Sequence, residues 1–195
     1  MYQRLSLIVL VFLAISTTPA LSQELRSDLL GISIVGDYVP ESGVLPSLGF
    51  VFERKFAAKS GFELGLFYKT NKTKSYWDLI LPDGSYHFGH TSVRESLLSI
   101  PVVYRYYSKA ATVSLGPVFE AFVGWNQVSQ KDITVEKYKR SPSFDFGPIL
   151  KVSRPIALRG NVIVEPEVRF GIMARSETAY FGLGIQLKQH LLSKD

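Results

Sequence analysis

Three groups of residues carry side chains able to do chemistry. His87 and His90 lie close to Asp83 and Glu95, with Ser85 and Ser92 on either side. Such a set can hold a metal or supply a general base, and with a serine it can make a nucleophile–base–acid arrangement. Its spacing matches no catalytic or metal motif, however, and serine and histidine are ordinary loop residues. The expectation is no catalytic residue, no metal and no cofactor. Around the histidines, loop 71–92 also holds Tyr76, Trp77, Tyr86 and Phe88. These are candidate contacts for a glycan or protein partner, or the packing residues of a hairpin that extends the elements beneath it. In the second group, loop 126–142 carries Lys131, Lys137, Lys139 and Arg140. These either contact lipopolysaccharide phosphates through charge-assisted hydrogen bonds or lie solvated.

The third group is spread along the chain: Glu53, Lys55, Glu63, Lys69, Glu95, Arg105, Glu120, Asp145, Lys151, Arg159, Glu165, Glu167, Arg169 and Lys188. Each sits within a run of strict apolar–polar alternation, the signature of strands with two unlike faces. In 47–56, Leu48, Phe50 and Phe52 oppose Gly49, Val51, Glu53 and Lys55. In 61–70, Phe62, Leu64, Leu66 and Tyr68 oppose Glu63, Gly65, Phe67 and Lys69. Segments 94–107, 112–125, 143–153, 158–171 and 179–188 repeat the pattern, and 28–38 is a weaker opening strand with Asp37 on its polar face. Eight strands are expected, with no helical period among them.

The two faces define the surroundings. The apolar faces are rich in Phe, Leu, Val and Tyr, and would overfill the inside of one small barrel. The polar faces mix Glu, Asp, Lys and Arg in nearly balanced numbers with many glycines. Turning the apolar faces to lipid and the charges inward fits a transmembrane β-barrel. Eight strands leave an interior just wide enough for side chains to fill, and paired charges suit a desolvated interior. That set therefore reads as an interlocked plug. Connections at 57–60, 108–111 and 154–156 are short, whereas those at 39–46, 71–92, 126–142 and 173–178 are mostly longer, as in outer-membrane barrels. Tyr38, Tyr68, Tyr106, Tyr107 and Trp125 are expected to form interfacial girdles.

Residues 1–22 read as a cleaved signal peptide: Arg4, an apolar run too short to span a membrane as a helix, and the small-x-small site Ala20-Leu21-Ser22. Residues 23–195 are then one barrel domain. The chain has no cysteine, which excludes thiol catalysis, cysteine-ligated zinc and disulfide staples. The formal charge of +5 forms no single basic stripe, so no nucleic-acid partner is expected.

The stretches SLGFVFERKF (47–56), GFELGLFY (61–68), LLSIPVVYRYY (97–107) and LGPVFEAFVG (115–124) resemble the outer-membrane β-barrel domain family of Bacteroidota, which includes PorT-like proteins and lies near the small OmpA-like barrels. The closing run 180–187 looks like a barrel-assembly signal but lacks a terminal aromatic. The resemblance implies an outer-membrane location, contact with the barrel-assembly machinery, and a partner in an envelope or secretion machine. It implies no catalytic residues. The expected function is a non-enzymatic barrel with a structural or surface-interaction role. The alternatives are a lipid A-modifying hydrolase or acyltransferase and a secreted lipocalin-like binder with its charges outside.

Overall fold

The computed structural model describes residues 27–40, 42–80, 86–128, 138–158 and 161–191, with side chains placed at all of these except 74–80, 86–88 and 90. The segment 1–22, read above as a leader, lies outside the described residues, and so do Asp83, Ser85, Lys131, Lys137 and Arg159. Among the described residues there are nine strands and no helix: β1 (Ser27–Val39), β2 (Gly43–Ala57), β3 (Ser60–Ile80), β4 (Tyr86–Tyr107), β5 (Thr112–Gln127), β6 (Phe144–Ser153), β7 (Ile156–Ala157), β8 (Val162–Met173) and β9 (Thr178–His190).

Every pairing is antiparallel and joins neighbours in sequence, except that β1 also pairs β9 and β6 also pairs β8. The sheet therefore closes into a ring of eight long strands. The ninth is an extension. β7 pairs β8 in the same register as β6 does, with Ile156 opposite Val164 and Ser153 opposite Glu167. Between them stands Pro155, which has no N–H to give to the ladder. The eight expected strands and the nine observed are thus one architecture.

The faces follow the alternation. Phe50 is 64% exposed and Leu115 59%, while Glu63 and Arg105 are each 1% exposed. In water this would be an inverted protein. In lipid it is the stable arrangement, because closure satisfies the backbone and the outer wall matches its solvent. It also removes the lipocalin-like alternative, which needs the opposite faces.

The β1–β2 connection is shorter than expected. β2 begins at Gly43, and Ser42 N–H donates to the Val39 carbonyl at 3.1 Å. Gly43 takes φ 77°, a left-handed conformation open to glycine. The 71–92 segment is a hairpin: β3 and β4 stay paired from Ser60–Tyr106 up to Ile80–Tyr86. β2 leaves β3 after Lys69 and β5 leaves β4 near Val93, so the last six residues of β3 rise as a two-stranded ribbon, about 20 Å along the strand.

Candidate functional site: the charged lumen and its outer mouth

The centre of the lumen is a single web of buried charge. Arg105 on β4 reaches Glu53 on β2 at 3.1 Å and also pairs with Glu63 on β3 and Glu165 on β8. Lys188 on β9 touches the same three carboxylates at 2.6, 3.1 and 2.8 Å. Lys151 on β6 bridges Glu63 at 2.5 Å and Glu167 at 2.7 Å, and Gln186 donates to Glu167 at 2.6 Å. Ser153 donates to Glu165. Long cations fit because the strands opposite carry glycine: a Cβ at Gly31 would strike Lys188.

A second cluster lies nearer the outer end. Arg169 grips Asp37 with Nε at 2.7 Å and Nη2 at 2.6 Å, a bidentate pair. Lys69 sits between Glu120 at 2.9 Å and Asp37 at 3.2 Å, over the Tyr180 ring. Here too a glycine makes the room, since a Cβ at Gly182 would collide with Asp37 and Arg169. Asp37 is the anion that the charge set drawn from the sequence lacked, although its place on the inward face of β1 marks it. Val35, Val51 and Phe67 form a small apolar cluster, and Val103, Val118 and Ile149 belong to a larger one, so the filling alternates charge with hydrocarbon.

Above this cluster the barrel opens into a cavity of about 610 Å³ lined by Lys69, Asn71, Glu95, Glu120, Tyr138 and Arg140. Glu95 accepts hydrogen bonds from Asn71 Nδ2 at 3.0 Å and Tyr138 Oη at 2.5 Å, and Arg140 lies 3.4 Å away. Burial, together with the hydrogen bond it donates to Glu95, pushes the Tyr138 phenol well above its ordinary value.

Several residues sit elsewhere than the sequence pattern places them. Trp125 belongs to the inner face. Val123 is an extra residue in β5, since Phe122 pairs Leu97 while Gly124 pairs Ser96. This β-bulge reverses the alternation beyond it, so Trp125 stands opposite buried Glu95 with its ring 5.6 Å from Tyr138. Tyr107 is no girdle residue either: it points inward and donates to Glu53 at 2.7 Å, with the half-buried Lys55 ammonium 4.9 Å above its ring. Arg140 folds back into the mouth instead of reaching outward, while Lys139 is exposed. Asp145 pairs with no described cation. It accepts the backbone N–H groups of Phe146, Arg175 and Ser176 and so caps the β8–β9 turn. Tyr76, Trp77, Tyr86, His87 and His90 all fall in the ribbon, where Tyr76 pairs His90 and Trp77 pairs Gly89 through the backbone. Among the described residues no group of three or more His, Cys, Asp or Glu is arranged to hold a metal.

The closed antiparallel ring has known counterparts in fold. The chain is similar to the outer-membrane protein OprG of Pseudomonas aeruginosa, with a TM-score of 0.56 at 14% identity over 86% of this chain and 98% of that one. It is also similar to the outer-membrane protein AlkL, determined in DMPC lipid bilayers, with a TM-score of 0.53 at 12% identity over 92% of this chain and 97% of that one. The fold is that of a small outer-membrane β-barrel. No protein-family model and no curated protein matches the chain.

Proposed function

We propose that this barrel resides in the bacterial outer membrane as a non-enzymatic structural and surface-interaction protein. The carrying observation is the division of labour in the structure. The centre of the lumen is held by interlocked charge, and among the described residues what projects beyond the wall is the β3–β4 ribbon, rich in aromatic residues. Among the described residues the centre of the lumen is occupied by this web, which favours the rim and ribbon as the surfaces for recognition. Export by the leader at 1–22 and insertion by the barrel-assembly machinery belong to this reading. Kinship with the PorT-like barrels of Bacteroidota, and with it a partner in an envelope or secretion machine, rests on the resemblance of stretches such as 47–56 and 97–107.

The test is expression of the full chain with its leader, followed by fractionation and electrophoresis with and without boiling. The expected result is recovery in the outer membrane with heat-modifiable migration. The purified barrel should give no stepwise conductance in planar bilayers and release no fatty acid from lipopolysaccharide. Stable channels or steady deacylation would overturn the proposal, as would recovery as a soluble protein.

A further inference from the structure

On the outer wall, Lys72 of β3 and Arg94 of β4 stand directly opposite one another in the ladder, and both are exposed. Like charges placed so destabilise a sheet. Among the described residues, nothing on the same face offsets them. The row below is Thr70 opposite Ser96, then Tyr68 opposite Leu98, and the β5 neighbour of Arg94 is Asn126. Glu95 and Asn71, the acid and amide nearest in sequence, face the mouth and bond each other there. No described residue forms an ion pair with Lys72 or Arg94.

The height of this pair is informative. At the opposite end of the wall, Arg54 is opposite Phe62 and pairs outward with Asp28 at 2.6 Å. From Phe62 to Lys72 is ten residues of one strand, about 33 Å. A strand tilt of 35–45° reduces this to about 25 Å, the height of the apolar band of outer-membrane barrels. Between the two levels the outward residues of β3 are Leu64, Leu66, Tyr68 and Thr70. Arg54, the outward strand cation at the inner boundary, is therefore neutralised by Asp28, whereas no described residue neutralises Lys72 or Arg94.

We propose that Lys72 and Arg94 form a site for a phosphate of an outer-leaflet lipid headgroup, a ledge on the barrel wall separate from its loops. The inference rests on the outer-membrane reading and adds a ligand class to it. Directly opposed residues have Cβ atoms about 5 Å apart, so an ammonium and a guanidinium can close on one phosphate. The guanidinium supplies the paired donors and the ammonium a point charge. The wall below, Tyr68 and Leu66, takes the acyl chains of the same molecule. This location at the edge of the apolar band favours a lipid over a soluble anion.

The test uses the full chain, purified from membranes in neutral detergent and transferred to phosphatidylcholine nanodiscs doped with bisphosphorylated lipid A or with its dephosphorylated form. Native mass spectrometry then counts the lipid retained per barrel. The expected result is preferential retention of the phosphorylated lipid. Retention should fall about thirty-fold in the Lys72→Ser/Arg94→Ser variant, as two surface cations near an anionic leaflet predict. Lys72→Arg/Arg94→Lys should retain it, and Lys59→Ser/Lys109→Ser at the opposite end should change nothing. Equal retention by the double serine variant, with heat-modifiable migration intact, would overturn the site while leaving the outer-membrane reading untouched. Displacement of lipid A by inorganic phosphate alone at equal concentration would overturn the lipid source.

Discussion

Arg105→Met tests whether the lumen is held together by charge. Arg105 is 1% exposed and is shared among three carboxylates. The central web holds the carboxylates Glu53, Glu63, Glu165 and Glu167 against the cations Arg105, Lys151 and Lys188. It is already one negative charge in excess, and removing Arg105 doubles that excess. Losing one partner of a buried pair costs about 3–5 kcal/mol, because the remaining charge keeps its desolvation penalty. With a urea dependence of about 2 kcal/mol per molar, the unfolding midpoint in vesicles should fall by about 1.5–2.5 M. Adding Glu63→Gln removes one of the stranded carboxylates, so the double variant should lose less than the sum of the two single losses, by at least about 1 kcal/mol. The assay is urea unfolding in lipid vesicles, followed by heat-modifiable migration and tryptophan fluorescence. A midpoint shift below about 0.5 M for Arg105→Met, or strict additivity of the pair, would refute a lumen fastened by this web.

Leu66→Lys places a charge near the middle of the apolar band, at a side chain 47% exposed. It should cost about 2–4 kcal/mol of folding into bilayers, and neutral stability in the same vesicle assay would contradict the lipid-facing wall. Gly182→Val drives a side chain into the Asp37–Arg169 pair and should cost at least about 3 kcal/mol, whereas Gly124→Val, at a position with open space, should be far milder. Tyr138 has a folded-state pKa raised above its unfolded value by burial and by its bond to Glu95. Its contribution to stability is therefore complete below pH 10 and is lost only as pH rises through the folded value. In absorbance titration of the folded barrel, Tyr138→Phe should leave the tyrosinate signal at pH 11 unchanged, and a reduced signal would show that the phenol is free.

The strand faces were legible because each side chain's environment is set by a period of two, and a wall between lipid and a charged lumen makes that period strict. Glu63, Arg105 and Lys188 declare their side in this way. What was hidden depends on events off the local pattern. One inserted residue at Val123 reverses the face of Trp125, and the neighbouring apolar residues Phe122 and Val123 give no sign of which is extra. The inward turn of Arg140 depends on Glu95, which is far from it in sequence. The pairing of Asp37 with Arg169 joins residues 132 apart. The hairpin reading of 71–92 holds for the backbone of 75–80 and 86–91, which continues the ladder, but the mixed composition there gives no period from which its register could be read.

The pairing of the first strand with the last has a consequence for synthesis. Until β9 has been made, β1 has no second neighbour, and the ring cannot be finished by any shorter product of the ribosome. The final strand also brings Lys188 to Glu53 and Glu63, across 135 and 125 residues of chain. Sliding that strand by one position would turn Lys188 outward into lipid and leave the waiting carboxylates unanswered. The buried charges thus act as a tally at the moment of closure: they admit the correct alignment of the last strand and reject its neighbours.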